Sequence, residues 1–177
     1  ADALANRGMV HAILATFELD HGRDARPSSA RAEASLRQAL ARKPTHAEAW
    51  YSLGEALGAR ALSPGGRPQD SEEAAQAFQK GLELAPERQE FRIGFGHFLR
   101  RQATRSMQGK QDPGPSLQRG LELAQQLLAV RPGWPDARLL RGSLLALEQE
   151  SRGQAREDLS SALSANPAFQ REWGSAL

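Results

Sequence analysis

Cysteine is absent from the 177 residues, which excludes disulfide bridges and thiolate metal sites. Isoleucine, valine and tyrosine are scarce and aromatic residues make up only 6% of the chain, a poor supply for a sheet. Long apolar runs are missing as well. The longest, from Met9 to Leu19, is broken by His11 and Glu18 and falls far short of the ~20 residues of a membrane span. No sign of charge dominates: 23 basic residues, 20 of them arginine, interleave with 21 acidic ones. Their densest group is Arg100, Arg101 and Arg105, better read as a solvated helix face than as a nucleic-acid patch.

Chemical motifs are missing too. The histidines His11, His21, His46 and His97 are scattered, with no partner at a metal-motif spacing such as H-E-x-x-H. There is no G-x-S-x-G elbow and no phosphate-binding glycine loop. Gly94 and Gly96 sit in an expected helix, where close packing explains them. Adjacent carboxylates such as Glu72 and Glu73 diverge on a helix and cannot share a substrate atom. The expectation is therefore a non-enzymatic chain without catalytic residues, metal or cofactor. With no targeting segment visible, it is expected in the cytoplasm. Ala1 in place of an initiator methionine leads to the expectation of a piece of a longer chain.

What is present is a repeated spacing. Pro44 to Gly54, Pro86 to Gly96 and Pro132 to Gly142 each place glycine ten residues after proline. Leu40, Leu82, Leu128 and Leu163 each stand four residues before Pro44, Pro86, Pro132 and Pro167. A unit of this length cannot bury its own apolar face and must stack on neighbours. Ala, Leu, Arg, Gln and Glu dominate, all good helix formers.

Each unit reads as two helices, A after the proline and B ending before the next one. The B stripes are Ala32, Leu36, Ala39, Leu40; Ala74, Phe78, Gly81, Leu82; Gly120, Ala124, Leu127, Leu128; and Ala155, Leu159, Ala162, Leu163. Small members let helices approach and larger ones fill the space between. Thr45 with Glu48, and Asp70 with Glu73, have capping-box spacing. Pro135 suits the first turn of the last A helix, and the four prolines stop the B helices because the residue before proline avoids the α region.

The segments Ala49 to Leu57 and Ala74 to Pro86 resemble the tetratricopeptide repeat, W-x2-L-G-x2-Y followed by Ala, Phe and Pro. Trp50, Leu53, Gly54, Ala74, Phe78 and Pro86 fall on that pattern, with Leu57 in place of its tyrosine. Arg92 and Arg138 stand where tryptophan is usual, Arg7 and Arg141 where leucine is usual. The resemblance implies an all-α fold, a right-handed α-solenoid of about four helix pairs with a short C-terminal capping helix. The expected repeats cover residues 1–44, 45–86, 87–132 and 133–167 of one domain, 1–177, with a cap at 168–177 in which Phe169 and Trp173 face inward. Trp50, Leu53, Gly54, Ala74, Phe78, Leu82, Gly96, Leu128, Gly142 and Leu163 are the expected packing residues.

From glycine to closing proline the units span 36, 32, 36 and 25 residues, against about 24 in the family pattern. The excess includes Asp20 to Ser29, Ser63 to Ser71 and Gln108 to Ser116, all rich in turn residues. Part of it should lengthen the A helices, as Phe17, Leu19, Leu62 and Met107 keep apolar positions going, and the rest should form loops along one edge.

The same resemblance implies that A helices line a groove for a peptide or a partner helix. By phase the outward rows are Ala5, Tyr51, Ile93, Leu139 and, one turn on, Met9, Glu55, His97, Ser143. The groove candidates are Met9, Tyr51, Glu55, Ile93, His97, Leu139 and Ser143. A further row, Asp2, Glu48, Glu90 and Asp136, lies in the first turns, where the helix dipole favours acids. Tyr51, Glu55, Glu90 and Gly94 stand where the family's carboxylate clamp has Lys, Asn and Arg, so no such clamp is expected.

The expected function is a protein-interaction module, a scaffold, adaptor or regulatory docking domain, whose partner is another protein or another part of its own chain. Self-association through the terminal repeats is a further expectation, and single-stranded nucleic acid is the rival partner. The ending N-P-x-x-x-R-E-W and the enlarged repeats look similar to C-terminal repeat regions of bacterial serine/threonine protein kinases of myxobacterial type.

Overall fold

The computed structural model describes residues 1–169, and all regular structure among them is helical. The α-helices are α1 (Asp2–Asp20), α2 (Arg26–Arg42), α3 (Ala47–Leu62), α4 (Pro68–Leu84), α5 (Gln89–Gln108), α6 (Gly114–Val130), α7 (Pro135–Leu145) and α8 (Arg152–Ala165), followed by a 3-10 turn at Pro167–Phe169. Consecutive helices are joined by short connections, so successive helices that pack on each other run antiparallel.

The closing prolines act alike at all four places. Each B helix ends two residues before its proline, and the intervening residue leaves the helical region: Lys43 (φ −140°), Ala85 (φ −140°), Arg131 (φ −142°) and Asn166 (φ −137°). Proline's ring bars α geometry from the residue before it. Each of these residues still donates its N–H to the carbonyl four residues back, and its own carbonyl accepts from the residue three ahead (His46, Arg88, Trp134 and Phe169). One sequence signal thus produces the same turn four times.

The extra residues between helices are largely absorbed by helix. The connections between A and B helices shrink to residues 21–25, 63–67 and 109–113, because α1, α3 and α5 run on while α2, α4 and α6 begin early. Pro27, Pro68 and Pro115 sit in the first turns of these B helices, where no N–H partner is lost. Gly22 (φ 66°), Gly65 (φ 77°) and Lys110 (φ 55°) take the left-handed positions that close the turns.

Two capping expectations need correction. His46, not Thr45, is the residue before α3, and its side chain makes no cap bond. Asp70 lies inside α4, where its Oδ2 accepts the Arg67 backbone N–H at 3.2 Å. The reason is that Pro68 starts the helix three residues earlier than the Asp70–Glu73 spacing implied, which makes Asp70 the third helical residue of a capping box begun at Arg67. Pro135 does open α7.

The chain divides into two compact units, Ala1–Phe91 and Arg92–Leu177, where the sequence had suggested one continuous array. In the first, α1 packs on α2, α3 on α4, and α3 also lies against both α1 and α2. In the second, α6 packs on α7 and α7 on α8. Ala103 of α5 joins Leu117, Ala124 and Leu127 of α6 and Leu140 and Leu144 of α7 in one cluster.

The repeat glycines are places of close approach. A Cβ at Gly8 would lie 2.5 Å from Leu36, at Gly54 2.7 Å from Phe78, and at Gly142 2.9 Å from Leu159. In each case the large B-stripe residue fills the space that the A helix leaves. The third repeat has small Ala124 at that stripe position, and its Gly96 instead receives Leu140 of the next A helix, 2.4 Å from a Cβ. Of the expected packing residues, Leu53, Gly54, Ala74, Phe78, Gly96, Leu128, Gly142 and Leu163 are buried, while Trp50 and Leu82 are half-buried. Phe169 is half-buried against Leu139, Leu159 and Ala162. Trp173, with residues 170–177 of the expected cap at 168–177, lies outside the described residues.

Candidate interaction surfaces

In the first unit the groove candidate Tyr51 belongs to an aromatic group. Tyr51 of α3 lays its ring flat on Phe91, 4.3 Å between centroids at 9°, and meets Phe78 edge-on at 5.5 Å. The Arg88 guanidinium lies over the Phe91 ring, 5.1 Å from its centroid. Arg88 also pairs with Glu90 and reaches Glu48 at 3.3 Å. His46 stands 3.2 Å from Glu48 and 3.8 Å from the exposed Asp2. The first-turn acids of this unit thus have cationic or imidazole neighbours, in keeping with a role at helix starts.

Glu55 differs from them. It lies mid-helix, one turn after Tyr51, half-buried, where dipole arguments do not apply. Burial pushes its carboxyl up to about 7, against the smaller opposing pull of the Tyr51 hydroxyl. Burial likewise raises the Tyr51 phenol, and the Glu55 and Glu90 charges add to the effect. Met9 of α1 is half-buried, whereas Ala5 of the same outward row is fully buried.

In the second unit the expectation of an open row fails in part. Leu139 is 3% and Ser143 7% exposed. Leu139 packs on Leu159 and Ala162 of α8, and the Ser143 hydroxyl donates to the Leu140 carbonyl at 2.9 Å. The short α7 thus turns Leu139 toward α8. Ile93 is half-buried against the cluster around Leu127 and Leu140. His97 is half-buried, and burial, aided by the charges of Arg100 and Arg101, holds its imidazole down at about 4. Asp136 accepts the indole N–H of Trp134 at 2.8 Å.

The arginines at tryptophan and leucine positions have structural counterparts. Trp50 donates its indole N–H to the Pro44 carbonyl at 2.8 Å, and Arg138 donates Nε–H to the Pro132 carbonyl at 3.2 Å. Both are six residues past the repeat proline, so the guanidinium stands in for the indole. Arg141, at the place of Leu53, makes a two-pronged pair with buried Asp158 at 2.6 and 2.7 Å. Asp158 occupies the place of Ala77, so an apolar contact in one repeat is an ion pair in another.

Sequence reasoning missed two features of the first unit. Arg60 bridges Glu33 and Asp70, which is also held by Arg67 at 2.8 Å. The guanidinium of Arg67, then that of Arg60, overcomes burial and holds the Asp70 carboxyl down at about 2. Beside this network, Trp50, Leu53, Leu57 and Ala77 floor a surface pocket of about 510 Å³ rimmed by Arg37, Glu73 and Lys80. Arg67 is three residues from Asp70, but Arg60 is 10 residues from Asp70 and 27 from Glu33, and Arg37 is 36 from Glu73, so no local spacing could reveal those longer pairs.

No cluster of histidine and carboxylate side chains able to hold a metal occurs among the described residues, and none of their helices is long and apolar enough to cross a membrane. No protein-family model and no curated protein matches the chain.

Proposed function

We propose that the chain is a tetratricopeptide-type helical-repeat module that binds a segment of another protein, or of its own polypeptide, on the A-helix surface around Tyr51. The observation that carries this reading is the Tyr51 ring, half-buried and stacked on Phe91, with Glu48, Glu55 and Glu90 about it and Arg88 as the neighbouring guanidinium. An aromatic floor with an acidic margin suits an amphipathic helix or peptide that brings apolar and basic side chains together. Apolar contact would supply affinity and the charges would set orientation.

The repeat character is supported by the turn that recurs before Pro44, Pro86, Pro132 and Pro167. Glu55 supports the preference for a basic partner: half desolvated, it gains most when a cation arrives. In a longer polypeptide the same surface would act as a docking or regulatory domain.

The test uses fluorescence anisotropy with labelled amphipathic peptides of basic, neutral and acidic composition. The basic set is expected to bind best, and to bind more tightly as pH rises from 6 to 8 and Glu55 ionises. Tyr51→Glu should weaken binding by roughly tenfold or more without loss of helicity. Equal affinity for all three sets, or binding untouched by Tyr51→Glu, would remove the proposal.

A further inference from the structure

Helix α1 carries an apolar stripe on its outer face. Val10 and Ile13 are each 64% exposed, Phe17 46% and Leu14 39%. Their spacing, i, i+3, i+4 and i+7, sets them in one line along the helix. The His21 ring lies tilted against Phe17, 3.9 Å between centroids at 31°, and the Arg23 guanidinium lies 5.8 Å from the same ring, closing the stripe with polar groups.

The corresponding face of α3 shows how a stacked repeat treats these positions. Counted from Gly8 and Gly54, the stripe matches Ala56, Ala59, Arg60 and Ser63. Ala56, Ala59 and Ser63 are buried, in a helix that lies against α1 and α2. Those residues are small because the neighbouring helices come close. Val, Ile, Leu and Phe at the same places would hold a neighbour of that kind away. The α1 stripe is therefore not shaped for one more repeat of the same close packing. Large side chains in a single seam suit a helix presenting equally large ones, interleaved as knobs in holes.

We infer that this face pairs with α1 of a second copy of the chain, antiparallel, about a two-fold axis near Ile13. Charge placement favours this occupant and this direction. At about 100° per residue, Arg7 and Glu18 lie on the same flank of the stripe. An antiparallel two-fold pair sets equal flanks against each other, which places Arg7 opposite Glu18 of the second copy, twice by symmetry. A parallel pair would instead leave Glu18 beside Thr16 and Asp20 of the second copy, with no cation to meet, while bringing only Arg7 toward an opposite charge, Asp2. One helix face per copy is smaller than the ~800 Å² per partner of a stable complex, so a micromolar dimer is expected.

The experiment is sedimentation velocity on the full chain from low-micromolar to near-millimolar concentration. The weight-average mass should rise from one chain toward two. Ile13→Glu should hold it at one chain, with helicity kept, because Ile13 is exposed. Arg7→Glu and Glu18→Arg should each weaken the dimer by roughly tenfold, and the double variant should recover it. A monomer at every concentration would mean that something else occupies the stripe, and would overturn the inference. So would a dimer indifferent to Ile13→Glu, a double variant no better than the singles, or growth past two chains. Peptide binding at Tyr51 should survive Ile13→Glu, which keeps the two proposals separable.

Discussion

Glu55 is a carboxylate whose placement works against the fold at neutral pH. Its folded value of about 7 lies above the ordinary 4.5. The folded protein therefore binds a proton more readily than the unfolded chain. Stability from this group is fully present below pH 4.5 and is lost as pH rises through 7. In urea titrations, stability should fall by on the order of 2–3 kcal/mol between pH 5 and 8, and Glu55→Gln should flatten that slope and raise stability at pH 8. An unchanged slope in Glu55→Gln would show that the carboxyl is not held in this state. Asp70 has the opposite sign: held down at about 2, it stabilises above its ordinary 3.8 and loses that contribution only as pH falls toward 2.

Among elements, the α7–α8 pair does with an ion pair what α3–α4 does with apolar contact. Arg141 and Asp158 replace Leu53 and Ala77, and Asp158 is 3% exposed in its side chain while Arg141 keeps 26%. Removing one charge strands the other, whereas removing both restores a packing that the chain already uses. Asp158→Ala should cost about 2 kcal/mol, the exposed part of Arg141 moderating the loss, and Arg141→Leu with Asp158→Ala should return to within about 1 kcal/mol of the parent. Chemical denaturation of the three proteins checks this; a double variant as weak as the single would mean the pair does more than fill space. The same pair of helices shows what spacing alone can reveal. Helix ends at the four prolines were legible because proline acts on the residue beside it. The first turn of α4 was misplaced because Pro68 and Asp70 both signal a start, and the proline prevails.

At the level of the whole chain, arginine is abundant yet much of it is engaged. Arg26, Arg37, Arg60, Arg67, Arg88, Arg119 and Arg141 all pair with carboxylates. With a net charge of +2, little remains for a continuous phosphate track. Binding to single-stranded RNA should therefore be undetectable by filter retention even at ~50 mM salt, where counterion release favours it most. Retention that weakens steeply with added salt would reverse that expectation.

The sequence by itself determined the helical composition and the pre-proline turns, because each follows from residues near one another. Tertiary structure alone decided that Leu139 and Ser143 turn inward, that Asp70 is clasped by two guanidiniums, that Arg138 takes over the indole's hydrogen bond, and that the outer face of α1 keeps its large side chains in water. Those outcomes depend on which helix lies beside which, and at what distance. A period in the sequence fixes the face a residue occupies, but only the packed neighbour decides whether that face meets protein or solvent.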